Sequence, residues 1–200
     1  MSTTLNPFGL RPAYHPSGLD RQRALAGGIV SGYANNILKG QAVKYAGTNL
    51  GTGTSGTIVP VTGTEAFAGA FCGVEWTDVT GRRRVSNFWP ASTTYIASSC
   101  IAYFYDDPNI VYEIQADGSV PVTAVNNETI LTTANLTAGS TTTGLSQSTL
   151  ASASFASTAT TLQLRVVDIA KQVDNAAGDA YTICRVTIAS QLVAITNAVN

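Results

Sequence analysis

From Thr129 to Leu164 the chain carries no charged residue. Its LTTANLTAGSTTTGLSQSTLASASFASTATT is dominated by Thr, Ser, Ala and Gly. Such a run is too polar to span a membrane. Disordered segments usually carry charge and proline, whereas this one carries leucines and β-formers. Short strands with turns at Gly139 and Gly144 accommodate it best, and that reading sets the class expected for the rest of the chain.

Other stretches agree. Ile101 to Tyr105 is apolar and aromatic throughout, the mark of a well-buried strand, while Ile110, Tyr112 and Ile114 alternate with Val111, Glu113 and Gln115 as in a half-buried one. Asp107-Pro108-Asn109 between them fits a tight turn, so the whole predicts a core hairpin. Phe67–Thr77, the turn-like DVTG and Arg82–Phe88 predict a second hairpin. Ala24–Tyr33 and Ile37–Tyr45 predict two short strands with turns, and 47–56 (GTNLGTGTSG) a flexible loop. Thr57–Thr62 reads as an edge strand because Pro60 cannot donate to a central ladder, and Val120–Val125 as another. Thr160–Asp168 and Tyr181–Ile188 alternate and close the sheet, with KQVDNAAGD as the loop between them, and 189–200 fits either strand or helix. The expected fold is all-β, a sandwich or barrel of short antiparallel strands.

Residues 1–23 read as an extended N-terminal arm and 24–200 as a single β-rich domain with the Thr/Ser/Gly-rich segment at 129–161. Pro7, Pro12 and Pro16 each remove a backbone donor and push the preceding residue toward extended geometry. Phe8, Leu10 and Tyr14 on such an arm need cover, either from the parent domain or from a neighbouring subunit.

Charged residues are 12 % of the chain, half the ~25 % typical of soluble proteins. With 11 basic and 12 acidic side chains the net charge is -1, which gives no field to recruit nucleic acid or an acidic membrane. Low charge suits a protein packed on neighbours, where buried charge is costly, and equally a poorly soluble monomer. Cys72, Cys100 and Cys184 lack metal or redox spacing and read as reduced core residues. The first residues lack the basic start and apolar run of a secretory signal, and no apolar run approaches the ~18 residues of a membrane span, so synthesis in a cytoplasm is expected.

Catalytic chemistry finds little footing. The one histidine, His15, lies among the prolines of the arm, poorly placed to act as a rigid base, and is expected to be solvated. Asp106 and Asp107 read as turn formers, Asp174, Asn175 and Asp179 as loop chemistry, and Trp76 and Trp89 as core or interface anchors. The glycines of 47–56 are not followed by Gly-Lys-[Ser/Thr], so no phosphate loop is expected. No catalytic, metal or cofactor site is expected, and no small-molecule substrate. Arg82, Arg83 and Arg84 form the sole basic cluster, a solvated hairpin end or a surface for an anionic partner.

The segments NPFGLRPAYHPSG, GVEWTDVTGRRRVSNFWP, YFYDDPNIVYEIQAD, NLTAGSTTTGLS and LQLRVVDIAKQVDNAAGDAYTICRVTIASQ together resemble a family of tailed-bacteriophage capsid decoration proteins, also called cement proteins. Ala177 departs from the pattern, which has an aromatic residue before Gly178. The resemblance implies a structural virion protein, made in the bacterial host cytoplasm and bound to the outside of an HK97-like capsid. It implies a homotrimer that clamps neighbouring capsomers, with the major capsid protein and itself as partners and no nucleic acid, membrane or cofactor. Pro7, Phe8, Leu10, Arg11, Pro12 and Tyr14 of the arm, with Arg82, Arg83 and Arg84, are then the expected capsid or subunit contacts. A tail or fibre component, including a receptor-binding one, shares the same composition; a hydrolase is the rival of a different class.

Overall fold

The computed structural model describes residues 3–18, 23–26, 28–46, 56–156 and 162–189. In chain order its strands are β1 (Arg11–Tyr14), β2 (Arg23–Ala26), β3 (Ala42–Ala46), β4 (Thr57–Pro60), β5 (Gly69–Thr77), β6 (Arg83–Ser86) and β7 (Ile101–Tyr105). They continue with β8 (Val111–Gln115), β9 (Glu128–Thr129), β10 (Gly139–Ser140), β11 (Leu145–Ser146), β12 (Leu164–Ile169) and β13 (Ile183–Ile188). Two 3-10 turns, Val122–Ala124 and Thr133–Asn135, are the helical pieces among the described residues.

One sheet runs β1-β8-β13-β12-β9; a second runs β2-β7-β5-β3-β4, with β6 paired to β5; β10 and β11 form a small ribbon. The chain is nearly all β and its antiparallel sheets pack as a sandwich-like fold, as the sequence predicts. Period-2 alternation carries through to burial in β13, where Cys184, Val186 and Ile188 are buried and Ile183, Arg185 and Thr187 are not. The hairpin of β5 and β6 forms, and β12 pairs antiparallel with β13. β4 ends on Pro60 at the edge of its sheet, where no ladder needs a proline N–H.

The first hairpin does not form. Both of its stretches are strands, but β7 pairs with β2 and β5 in the second sheet, while β8 pairs with β1 and β13 in the first. The turn between them is as predicted, with Asp107 Oδ1 accepting the Asn109 N–H at 2.9 Å. It moves the chain from sheet to sheet instead of folding it back. The expected order of burial is also reversed: β7 alternates between half-buried and buried, whereas all five residues of β8 are buried. β8 is flanked on both edges and its polar face is covered by other segments, a tertiary arrangement that local alternation does not reveal.

β1 pairs antiparallel with β8 and β2 with β7, so residues 11–14 lie along 111–113 in the first sheet and residues 23–26 along 101–104 in the second. The two pairings are the limbs of one bent ribbon. At its corner Arg23 Nη1 donates to Asp106 Oδ2 at 2.8 Å, and His15 Nε2 stands at ion-pair distance, 3.2 Å, from Asp107 Oδ2.

Two cores result. Leu10, Phe67, Ile110, Tyr112, Ile114, Leu131, Leu150, Leu164, Val166 and Val186 belong to the larger. The other places Val43, Phe71, Val74, Trp76, Ala102 and Phe104 of the second sheet against Ile29, Ile37 and Trp89. Trp76 and Trp89 meet edge to face at 5.5 Å, core residues as expected. Val120–Val125 is not an edge strand: Val122–Ala124 is a 3-10 turn that buries Ala124 close to Val120 and leaves Val122 exposed.

The charge-free segment is ordered through polar anchors. Asp117 accepts the Ser152 N–H on Oδ1 and the Thr132 hydroxyl on Oδ2, both at 2.8 Å. The buried Gln163 accepts the Leu131 N–H at 3.0 Å and donates to the Gly63 and Glu65 carbonyls. Gly144 lies at the turn between β10 and β11, but Gly139 sits inside β10 and not in a turn. Residues 47–55 of the predicted loop, 157–161 of the Thr/Ser/Gly-rich segment and 190–200 of the last stretch lie outside the described residues.

Candidate functional site

The arm residues singled out by sequence gather on the first sheet. Gly9 has φ +70 and Gly40 has φ +81. A β-carbon on Gly9 would stand 2.5 Å from the Gly40 oxygen, and one on Gly40 would stand 2.9 Å from the Phe8 oxygen. Two glycines therefore permit a backbone-to-backbone contact that no larger residue allows. It is closed by the Leu10 N–H donating to the Gly40 carbonyl at 2.8 Å. Leu10 then enters the larger core, 1 % exposed, so the parent domain supplies its cover.

Upstream, the Asn6 N–H donates to Gln115 Oε1 at 2.8 Å, and Gln115 Nε2 donates to the Thr4 carbonyl at 3.0 Å. One buried side-chain amide thus prolongs the pairing beyond the end of β1. Downstream, Pro12 lies opposite Tyr112 and Tyr14 opposite Val111, with a register shift between them. Bulge, proline and exposed Arg11 all blunt the outer edge of β1 against unselective strand addition.

Arg11, Glu113, Arg185 and Asp168 are successive register partners across β1, β8, β13 and β12. Arg11 Nη2 lies 2.7 Å from Glu113 Oε2, and Arg185 Nε lies 3.4 Å from Glu113 Oε1. Lys171 Nζ continues the row at 3.6 Å from Asp168 Oδ2. The Arg11 guanidinium lies over the Phe8 ring at 4.4 Å and that of Arg185 over the Tyr14 ring at 5.8 Å. Glu113 is buried and stands between two cations, as a buried carboxylate requires. Sequence marked Phe8, Arg11 and Tyr14, and missed Glu113, Gln115 and Arg185. Their signal was a strand whose outward positions are charged or amide-bearing but whose neighbours could not be named.

Pro7 and Phe8 are half-buried and Tyr14 is 43 % exposed, as is Leu5 at 47 %, so the docked arm displays apolar groups along its rim.

Arg82, Arg83 and Arg84 lie in the second sheet, at the exposed end of the hairpin of β5 and β6, and take no part in that charge row. Arg83 pairs with Glu75, and Arg84 Nε donates to Asp78 Oδ2 at 2.9 Å. Arg82 has no side-chain partner among the described residues. Asp78 Oδ1 collects the Thr80 hydroxyl and the Thr80 and Arg82 N–H groups, and these bonds, the Thr80 hydroxyl foremost, hold its carboxyl far below the usual range. Val79 and Val85 flank the arginines, 66 % and 73 % exposed.

His15 is not the solvated residue expected. Its side chain is 10 % exposed, and Nδ1 faces the Ser17 N–H at 3.1 Å and the Ser17 hydroxyl at 2.5 Å. The Asn109 N–H, and then His15, hold the Asp107 carboxyl below its ordinary range. Asp106 and Asp107 act as turn formers that also fasten the ribbon corner. Burial pushes the Cys100 thiol up to about 11 and that of Cys184 to about 12. Neither forms a disulfide, and Cys72, half-buried instead of in the core, points its thiol at the Tyr105 hydroxyl at 3.9 Å.

No family model, curated protein or solved structure matches the chain.

Proposed function

We propose that this chain is a structural virion protein that binds the outside of an HK97-like phage capsid and stabilises the mature shell by clamping neighbouring capsomers. It acts as a homotrimer, with the major capsid protein as its other partner. The family resemblance motivates this reading, and the docked arm is the observation that carries it. Gly9 and Leu10 fix the arm at its middle, which leaves Leu5 and Tyr14 displayed on a rim already ordered before any partner arrives. Pre-ordering reduces the entropy lost on binding, and repetition over a symmetric lattice multiplies a modest contact energy. Arg82, with Val79 and Val85 beside it, offers a second contact to a capsid carboxylate. Binding the assembled lattice better than free subunits stabilises the lattice by linkage.

The test is a cryo-electron-microscopy map of the virion that contains this protein, with its copy number measured independently in purified particles. Density over local threefold positions in lattice-scale copy number is the expected result. The Thr/Ser/Gly-rich β segment favours a second reading, a tail or fibre component, and density confined to the tail in a few copies would replace the first reading with it.

A further inference from the structure

A cleft of about 370 Å³ lies where three segments distant in sequence meet, lined by Tyr33, Asn35, Asn36, Pro60, Thr62 and Thr137. None of the six is charged. The volume falls within the ~300–1,000 Å³ of small-molecule sites.

Its walls are fixed by bonds made elsewhere. The Tyr33 N–H donates to the Val30 carbonyl at 3.1 Å, and the Tyr33 carbonyl accepts the Ser92 N–H at 2.7 Å. Asn36 Oδ1 accepts the Ala91 N–H at 2.8 Å, and the Thr62 N–H donates to Glu65 Oε1 at 3.1 Å. Thr137 follows Leu136, whose carbonyl accepts Gln41 Nε2 at 3.0 Å and the Ser148 hydroxyl at 3.1 Å. The Tyr33 hydroxyl, the Asn35 amide, Asn36 Nδ2 and the Thr137 hydroxyl have no hydrogen-bond partner among the described residues. The fold has held these residues in place and left their polar ends unused.

That combination restricts the ligand. A carboxylate or phosphate calls for a guanidinium or ammonium group, and the lining has none. A wholly apolar ligand would strip water from two amides and two hydroxyls without replacing it. A neutral molecule rich in hydroxyls satisfies them, because each hydroxyl both donates and accepts, and the tyrosine ring accepts its C–H face. We propose that this cleft binds a neutral saccharide, with one sugar face against Tyr33 and its hydroxyls on Asn35, Asn36 and Thr137. The inference stands apart from the virion reading, since it uses neither the arm nor the arginine cluster.

Saturation-transfer-difference NMR on the full chain tests it, with glucose, galactose, mannose, N-acetylglucosamine, maltose and lactose as probes and glucuronate as the charged comparison. At least one neutral sugar is expected to receive saturation with a dissociation constant in the millimolar range. Asn35→Ala and Thr137→Val are each expected to weaken it about tenfold, the loss of one hydrogen bond. Both residues are exposed and unbonded within the fold, so the thermal midpoint stays at the wild-type value. Tyr33→Phe keeps the ring and loses less than either. The proposal is overturned if no neutral sugar in the panel binds, if glucuronate binds more tightly than all of them, or if the Asn35→Ala/Thr137→Val double variant binds as wild type does.

Discussion

Gly9 and Gly40 face one another across a gap that admits a β-carbon on neither, and the Leu10 amide closes the contact on the Gly40 carbonyl at 2.8 Å. The N-terminal segment is therefore part of the folded body from Phe8 onward, and Thr4 and Asn6 before it are tied to the same sheet through Gln115.

Gly9→Ala combines an L-residue at positive φ with a clash against fixed backbone, and is expected to cost roughly 2–4 kcal/mol. Chemical denaturation measures the loss. Limited proteolysis locates it, because release of the contact exposes the bonds after Phe8 and Leu10 to chymotrypsin while the second core stays intact. An unchanged midpoint would mean that the two glycines do not hold the segment.

Truncating Glu113 should matter more than truncating either cation. Glu113→Ala leaves Arg11 and Arg185 facing each other across an empty position, at a cost of about 2–3 kcal/mol. Arg11, whose side chain is 52 % exposed, contributes less than ~1 kcal/mol. A double-mutant cycle between positions 113 and 185 measures the coupling, and equal losses for Glu113→Ala and Arg11→Ala would contradict the charge row.

The thiols should divide into two classes. Cys100 and Cys184 are buried with raised pKa values, so both stay protonated and shielded in the folded state. Ellman's reagent near neutral pH is expected to modify Cys72 alone until denaturant is added. The same burial sets an alkaline limit. Thiols that ionise near 9 when unfolded but near 11 and 12 when folded favour folding below pH 9, and that contribution is lost as the pH rises toward 12.

At the acid end the sign is opposite. Asp107 is held low chiefly by the Asn109 N–H. Glu65 is held low chiefly by Lys44. Burial pushes Asp117 up, but its bonds from Ser152 and Thr132 outweigh that and leave it below the usual range. Carboxyls depressed by folding stabilise it above their ordinary values, and the contribution disappears as the pH falls through the folded ones. The denaturation midpoint is expected to change little from neutrality to about pH 5 and to fall below about pH 4. Asp117→Asn should flatten that fall and lower stability at neutral pH by roughly 1–2 kcal/mol, since the amide keeps one acceptor oxygen and puts a donor, Nδ2, where the second carboxylate oxygen had accepted a bond.

Strand existence was legible wherever a local period sets burial. β13 alternates residue by residue, Pro60 marks an edge, and DVTG turns the hairpin of β5 and β6 because Asp78 can gather the turn's donors on its own side chain. Pairing was not legible. Nothing near Val111–Gln115 shows that its partners are residues 11–14 and 183–186, a hundred positions before and seventy after, so a turn between two strands was taken for a hairpin. The buried polar residues escaped for the same reason: Glu113, Gln115 and Gln163 fall on the polar side of an alternating strand, and nothing local shows the groups that satisfy them in the interior. Of the candidate contacts, the composition of the arm was readable, but Leu10 proved to be core and His15 a fastened corner residue.

The bent ribbon also decides how the molecule carries tension. A pull on the N-terminus along β1 loads the hydrogen bonds between β1 and β8 in parallel, so several must yield together instead of one at a time. What passes the corner is shared between the ion pairs at Asp106 and Asp107 and the continuation of the same two segments in the other sheet. The fold thus behaves as a splice, in which a strain applied to one sheet is drawn across both layers.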